Sequence, residues 1–380
     1  MKINECQICY VAPPATEGRG IYILNSNIIR VLEAILEVEG NRSEIQRIES
    51  SCWYISWVPL RIIRTIQIKL KNVFYLLKLC PSNSIIVFSM GFAFFLPLFA
   101  ARLKNIRTIY FISGLAGTNA NSKVMSLIYK QSCFGIGKHV FPTIISNLER
   151  LNYNLASIIV VESPSLTKQI TFDIFRKKPI LNGSLFVDEM AFIPKIQLPN
   201  RKCKIGYFGA LKEHKGILNF IEAIPLILNE RDDANFVIVG TGPECVNIKE
   251  RLKNNHVFDK VVFYGNIAHK EIPDYLNETK IVVLPSYGEG LPNIVLEAMA
   301  CGTPVLATSV GGIPDIIKDA KTGFIIEINS PECIASNVIR ALEHPDLEGV
   351  ALRARALVEH EYTFERAVER WKKVLEECGQ

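Results

Sequence analysis

The chain has 380 residues with 49% hydrophobic and 21% charged residues, enough for two domains, each with its own core. This ordinary globular balance excludes a disordered or fibrous chain, and no low-complexity tract or fixed-period repeat is present. The net charge of +5 is unevenly placed: residues 1–200 hold 22 Lys+Arg against 12 Asp+Glu, and 201–380 hold 21 against 26. Between Glu49 and Glu149 there is no acidic residue and there are 11 basic ones, a composition that suits an anionic partner such as a lipid surface, a phosphorylated acceptor or nucleic acid.

In chain order, the N-terminus MKINECQICYVAPP lacks the pattern of a secretory signal, so a reduced cytoplasmic setting is expected. Cys6 and Cys9 form a C-x-x-C without a second Cys or His pair, and are read as structural thiols. ECQICYVA (5–12) predicts a first strand, followed by the glycine-bearing loop TEGRG and a helix over 24–39. Residues 53–79 mix Trp, Ile and Leu with Arg61, Arg64, Lys69, Lys71 and Lys78; this is either a helix lying on an anionic membrane or a core-facing helix with a basic outer face. Residues 80–101 carry no charge, but Gly91 and Pro97 interrupt them, which favours a buried strand and a helix over a membrane span. SIIVFS, TIYFIS, SIIVVES and PILNGS predict further strands, and 191–203, with Pro194 and Pro199, reads as a linker.

The second half alternates apolar strands (204–211, 235–240, 260–265, 280–286, 304–309, 323–328) with amphipathic helices near 214–230, 244–254, 269–279 and from Pro292. That pattern means βαβ units and parallel sheets covered on both faces. The expected organisation is an α/β chain of two Rossmann-like doubly wound domains: 1–190, a linker 191–203, 204–362, and a C-terminal helix in 363–380 packing back on the first domain.

Chemistry concentrates in KIVVLPSYGEGLPNIVLEAMACGTPVLATSVGGIPDII (280–317). A buried strand ends at Pro285, a glycine turn follows, and Pro292 stands where a first helical position is expected. Unpaired N–H groups at such a helix start, beside glycines, form an anion site that a diphosphate fits. Glu289 is placed to accept hydrogen bonds from sugar hydroxyls, and Glu297 to take both hydroxyls of a ribose. The plainer alternative is that Glu297 is solvated and Glu289 caps a turn.

This stretch resembles the E-x7-E region of glycosyltransferase family 4, the group 1 glycosyl transferases. These are retaining enzymes of the GT-B fold, in which two Rossmann-like domains face across a cleft. Glu289 and Glu297 fall on its two glutamates. FGALKEHKGILNFIEA, FVIVGTGPE, VVFYGNI and GGIPDII follow the family's order, over most of 203–345. In the first half ASIIVVESPSLTKQI and ILNGSLFVDEMAF are similar more loosely. The resemblance implies that Lys215 meets the donor diphosphate, that Glu289 with the amides of Gly290 and Leu291 holds the transferring sugar and phosphate, that Glu297 takes the ribose, that Gly265 lies near the base, and that Gly18 and Gly20 let a first-domain loop close over the donor. Two positions depart from the family: Ala210 stands where an Arg is usual, five positions before Lys215, and Ser113-Gly114 where a His is usual. Lys212 or Arg19 are candidates to replace the Arg.

The implied function is retaining transfer of a sugar from a nucleotide-diphosphate sugar to a hydroxyl of a lipid-linked or growing surface glycan. No cofactor is called for, and neither a D-x-D motif nor histidines at ligand spacing suggest a metal. A peripheral place on the inner face of the membrane, through 53–79, would accompany it. Alternatives are a catalytically impaired nucleotide-sugar-binding protein and a nucleotide-sugar epimerase. A nucleic-acid partner is not expected, since the basic stretch carries no binding motif, and Gly240-Thr241-Gly242 lacks the third glycine of a dinucleotide fingerprint.

Overall fold

A computed structural model describes residues 7–12, 20–39, 45–49, 73–74, 78, 80–89, 95–112, 140–169, 179–183, 186–202 and 204–379. The chain divides after Phe186 into two compact units, and the last residues, from Phe364, return to the first.

The first unit holds β1 (Gln7–Ala12), β2 (Gln46–Glu49), β3 (Ser84–Ser89), β4 (Arg107–Ile112), β5 (Ile158–Val161) and β6 (Ile180–Asn182), all parallel in the order β2-β1-β3-β4-β5-β6. Alternate strand residues feed two cores. Ile85 and Val87 of β3 join Ile8, Tyr10 and Ile109 on one face, while Ile86 and Phe88 join Cys9, Val11 and Tyr110 on the other. Burial on both faces explains why these strands are continuous apolar runs. The uncharged stretch 80–101 resolves into β3 and the helix Phe95–Leu103, and no helix among the described residues is long and apolar enough to cross a membrane. Cys9 lies 3.8 Å from the Sγ of Cys80, while Cys6 is outside the described residues. Most of 53–79 is outside them too.

The helix Phe364–Gly379 completes the first core. Ala367, Trp371, Val374, Leu375 and Cys378 recur at helical spacing on its buried face. The Trp371 indole donates to Gly183 O at 3.2 Å, the Arg107 guanidinium donates to Cys378 O at 2.6 Å, and Lys372 pairs with Glu39 at 2.5 Å.

The second unit holds β7 (Lys204–Phe208), β8 (Asn235–Val239), β9 (Val261–Gly265), β10 (Ile281–Leu284), β11 (Val305–Thr308) and β12 (Phe324–Ile326), parallel in the order β12-β11-β10-β7-β8-β9. Its strands also alternate between two cores: Ile205 and Tyr207 face one way, Phe208 the other.

The described part of 191–203 packs with the second unit. Arg201, 6% exposed, donates to Ile196 O, Leu276 O, Thr279 O, Cys301 O and the Thr303 hydroxyl at 2.6–3.2 Å. Burial lowers its pKa to about 10, and carbonyl dipoles rather than a carboxylate take its charge. Helices Val140–Leu155, Pro331–Leu342 and Leu347–Glu361, with β2, are additional to the elements expected from the sequence.

Trp371→Ala removes the largest side chain of the first core and is expected to cost about 3–5 kcal/mol, read as a lower denaturant midpoint for the first unit.

Candidate functional site

In the second sheet the chain runs from β7 to β8 on one side and returns through β10 on the other, so β7 and β10 flank the topological switch point. Loops leaving the carboxyl ends of such strands diverge and open a crevice there. The loop after β7 carries Lys215 and the loop after β10 carries Glu289.

Glycines bring these loops together. Gly216 has φ 71°, and a Cβ there would lie 1.7 Å from Pro285 O. Gly311, after β11, has φ 60°, and its Cβ would lie 2.0 Å from Glu289 O. The Tyr287 amide donates to His214 O at 3.0 Å and the Gly312 amide to Gly290 O at 2.7 Å. The Asn219 amide group reaches the Tyr287 hydroxyl at 3.0 Å and Asn329 O at 2.8 Å.

Lys215 and Glu289 meet. The ammonium donates to both carboxylate oxygens at 2.8 and 2.7 Å, and the Ser286 hydroxyl donates to Oε1 at 2.6 Å. Ser286 is held in turn by Thr308, whose hydroxyl donates to Ser286 O at 2.5 Å. Glu289 is 7% exposed, a buried carboxylate partnered by Lys215 and Ser286. Lys215 remains 26% exposed and faces both the carboxylate and solvent.

Glu297 lies apart from that pair, in the helix Asn293–Ala300, and is 6% exposed; the solvated alternative does not hold. Its Oε1 accepts from His269 Nε2 at 2.7 Å. Pro292 is the N-cap, with φ −72° and ψ 121°, one position earlier than expected. The N–H groups of Asn293 and Ile294, the first two helical residues, have no intrahelical acceptors, while the Val295 amide donates to Pro292 O at 3.0 Å.

Among the other residues singled out, Gly265 ends β9 with φ 64°, and a Cβ there would meet nothing within 4 Å. Its carbonyl accepts from the Gly240 amide at 2.7 Å. Gly290 and Leu291 are buried in the turn before the helix. Gly20 opens the helix Gly20–Val38 after β1, while Gly18, Arg19 and Ser113 lie outside the described residues. Ala210 O accepts from the Tyr207 hydroxyl at 3.0 Å, and Lys212 is exposed on the same loop. His269 and Ser286 were not singled out in the sequence; the polar signal for each was a single residue beside a strand end.

Two histidines carry opposite pH signatures. Burial, then the charges of Lys215 and Lys212, push His214 down to about 4. The hydrogen bond to Glu297, then the charges of Glu297 and Asp188, raise His269 against the effect of burial.

Two doubly wound parallel α/β units in one chain, the second with converging loops at its switch point, define the GT-B class of fold. Solved structures align across both units. Anabaena HepE in complex with UDP matches with a TM-score of 0.72 at 14% identity, covering 97% of this chain and 99% of its own. Sucrose-phosphate synthase from Thermosynechococcus elongatus matches with 0.74 at 16% identity, covering 98% and 99%. The family model "Glycosyl transferases group 1" matches residues 188–356. N-acetyl-alpha-D-glucosaminyl L-malate synthase of Bacillus anthracis is 27% identical over 60% of this chain and 62% of its own length. Alpha-D-kanosaminyltransferase of Streptomyces kanamyceticus is 31% identical over 46% and 45%. The chain thus spans less than two thirds of the length of these curated relatives.

Gly216→Ala is expected to lower the melting temperature more than Gly265→Ala. At Gly265 only the left-handed backbone costs, about 1–2 kcal/mol, whereas at Gly216 the Pro285 carbonyl must also move. The histidines predict a second result. His214 stays neutral in the fold, so stability falls as pH drops from 6.5 towards 4, where the unfolded chain takes the proton first. His269, with a raised pKa, adds stability that is complete below 6.5 and is lost as pH rises past its folded-state value. Denaturation curves from pH 4 to 8 should show a flatter acid limb for His214→Gln and a flatter limb above 6.5 for His269→Gln.

Proposed function

We propose that the protein is a retaining glycosyltransferase that moves a sugar from a nucleotide-diphosphate sugar to an acceptor hydroxyl. The acceptor is a lipid-linked or growing surface glycan. The observation that carries this reading is Lys215 held on Glu289 at the switch point, beside the start of the helix Asn293–Ala300.

The glycosyl–phosphate bond breaks as negative charge builds on the departing diphosphate. Lys215 supplies a point charge there, and the helix start supplies N–H donors that need no reorganisation. Once the ammonium turns to phosphate, Glu289 keeps the Ser286 hydroxyl and has acceptor capacity for a sugar hydroxyl. Glu297 takes the ribose. Between Glu49 and Glu149 there is no carboxylate to act as a base on the acceptor. That supports front-face transfer, in which the leaving phosphate takes the acceptor proton and configuration is retained. UDP in the complexes of HepE and TarM makes uridine diphosphate sugars the first donors to test.

A membrane-bound acceptor fits the first unit. The helix Phe95–Leu103 buries Pro97, Leu98, Ala100 and Ala101, yet Leu96, Phe99 and Leu103 on its other side are exposed. Arg102 lies beside them in a segment without acidic residues. An apolar stripe with basic neighbours suits an anionic bilayer surface at the cytoplasmic face.

Lys215→Ala and Glu289→Ala are each expected to lower transfer from the preferred donor about 100-fold or more, measured with purified protein, donor and acceptor. Full activity in both variants would remove the site from the reaction. Product of inverted configuration would contradict retention, and sugar release with epimerisation in place of transfer would favour the epimerase alternative. Flotation with anionic vesicles should weaken with salt and with Phe99→Glu; equal flotation with neutral vesicles would count against the bilayer surface.

A further inference from the structure

We infer that His269 is the positioning residue for Glu297: it fixes the carboxylate in the plane that accepts the ribose hydroxyls, and so sets the preference for ribonucleotide over 2′-deoxyribonucleotide donors. This rests on the reading of Glu297 as the ribose acceptor.

Glu297 has long torsional freedom and almost no water to anchor it, its side chain being 8% exposed. Among the described residues His269 alone hydrogen-bonds its carboxylate, from Nε2 to Oε1 at 2.7 Å. A carboxylate only accepts, so Nε2 carries the hydrogen whether the ring is neutral or protonated. One lone pair of Oε1 is thereby used. The other lone pair and both of Oε2 remain, which is what two neighbouring hydroxyls require of one carboxylate.

The ring that does this is itself fixed. His269 opens the turn His269–Glu271 after β9, a turn closed by Glu271 Oε2 accepting from the Ala268 amide at 3.3 Å. The Phe192 ring packs on the imidazole with centroids 5.4 Å apart at 49°. The acidic groups that act on the ring are Glu297 and, from the segment that enters the second unit, Asp188. Removing the imidazole frees Glu297 to rotate, and rotation takes away its acceptors for the diol. Contacts to base and diphosphate are made elsewhere and are left unchanged.

The test is equilibrium binding of UDP, ADP and GDP, each against its 2′-deoxy counterpart, to the full chain and to Glu297→Ala, His269→Ala and His269→Gln. The full chain should prefer the ribonucleotide about tenfold, the worth of one such contact. Glu297→Ala and His269→Ala should lose that preference, weakening the ribonucleotide more than its 2′-deoxy counterpart, which has only the 3′-hydroxyl contact to lose, and His269→Gln, which keeps an N–H donor, should regain part of it. Full preference in His269→Ala alongside its loss in Glu297→Ala would overturn the role of His269 alone. Equal weakening of both nucleotides by His269→Ala would make the histidine merely structural. Full preference in Glu297→Ala would instead overturn the ribose reading on which the inference rests.

Discussion

The ion pair between Lys215 and Glu289 is the interaction on which the second unit's site depends. A carboxylate 7% exposed needs a partner, and here it takes a cation and a hydroxyl together. Removing either member of a buried pair typically costs several kcal/mol, because the survivor keeps its desolvation penalty. The two residues are 74 positions apart, so the pair exists only because β7 and β10 are neighbours in the sheet. Gly216 and Gly311 then let three loops approach to distances that no side chain would allow. Sheet order, glycine placement and charge pairing thus serve one arrangement. Lys215 is the exposed member, and a competing anion can draw it off the carboxylate without unpacking the loops.

The strands of this unit were legible because a sheet buried on both faces demands continuous apolar runs, and KIVVLPS and PVLATS have no other simple reading. The glycine turn and the two glutamates were legible for a related reason: their types are restricted by backbone approach and by anion chemistry. Less legible was anything set by tertiary contact. Pro292 lies one position earlier than its usual helical place, a difference within the scatter of helix ends. The helix Pro331–Leu342 did carry a start signal in Ser330 and Pro331, with the Ser330 hydroxyl accepting from the Cys333 amide at 3.2 Å. His269 was invisible in sequence because its partner is 28 positions away and neither residue type predicts the pairing.

The first unit shows the complementary case. Its strands are continuous apolar runs for the same reason, but the helix that closes one face comes from the far end of the chain. Trp371 and the spacing of Ala367, Val374, Leu375 and Cys378 mark an amphipathic helix in sequence, while its destination comes from the apolar face that the first sheet leaves to cover. The separation of charge between the halves also acquires a place in the fold. The acid-free segment belongs to the unit with an exposed apolar stripe, and the unit with the buried glutamates carries the acidic excess.

Amide hydrogen exchange of the full chain, with and without uridine diphosphate, tests the location of the donor most directly. Slowed exchange is expected in the peptide covering Gly290–Ile294 and in the loop carrying Lys215, with uridine diphosphate but not with uridine. Unchanged exchange in both segments under saturating nucleotide, or protection confined to the first unit, would contradict that location.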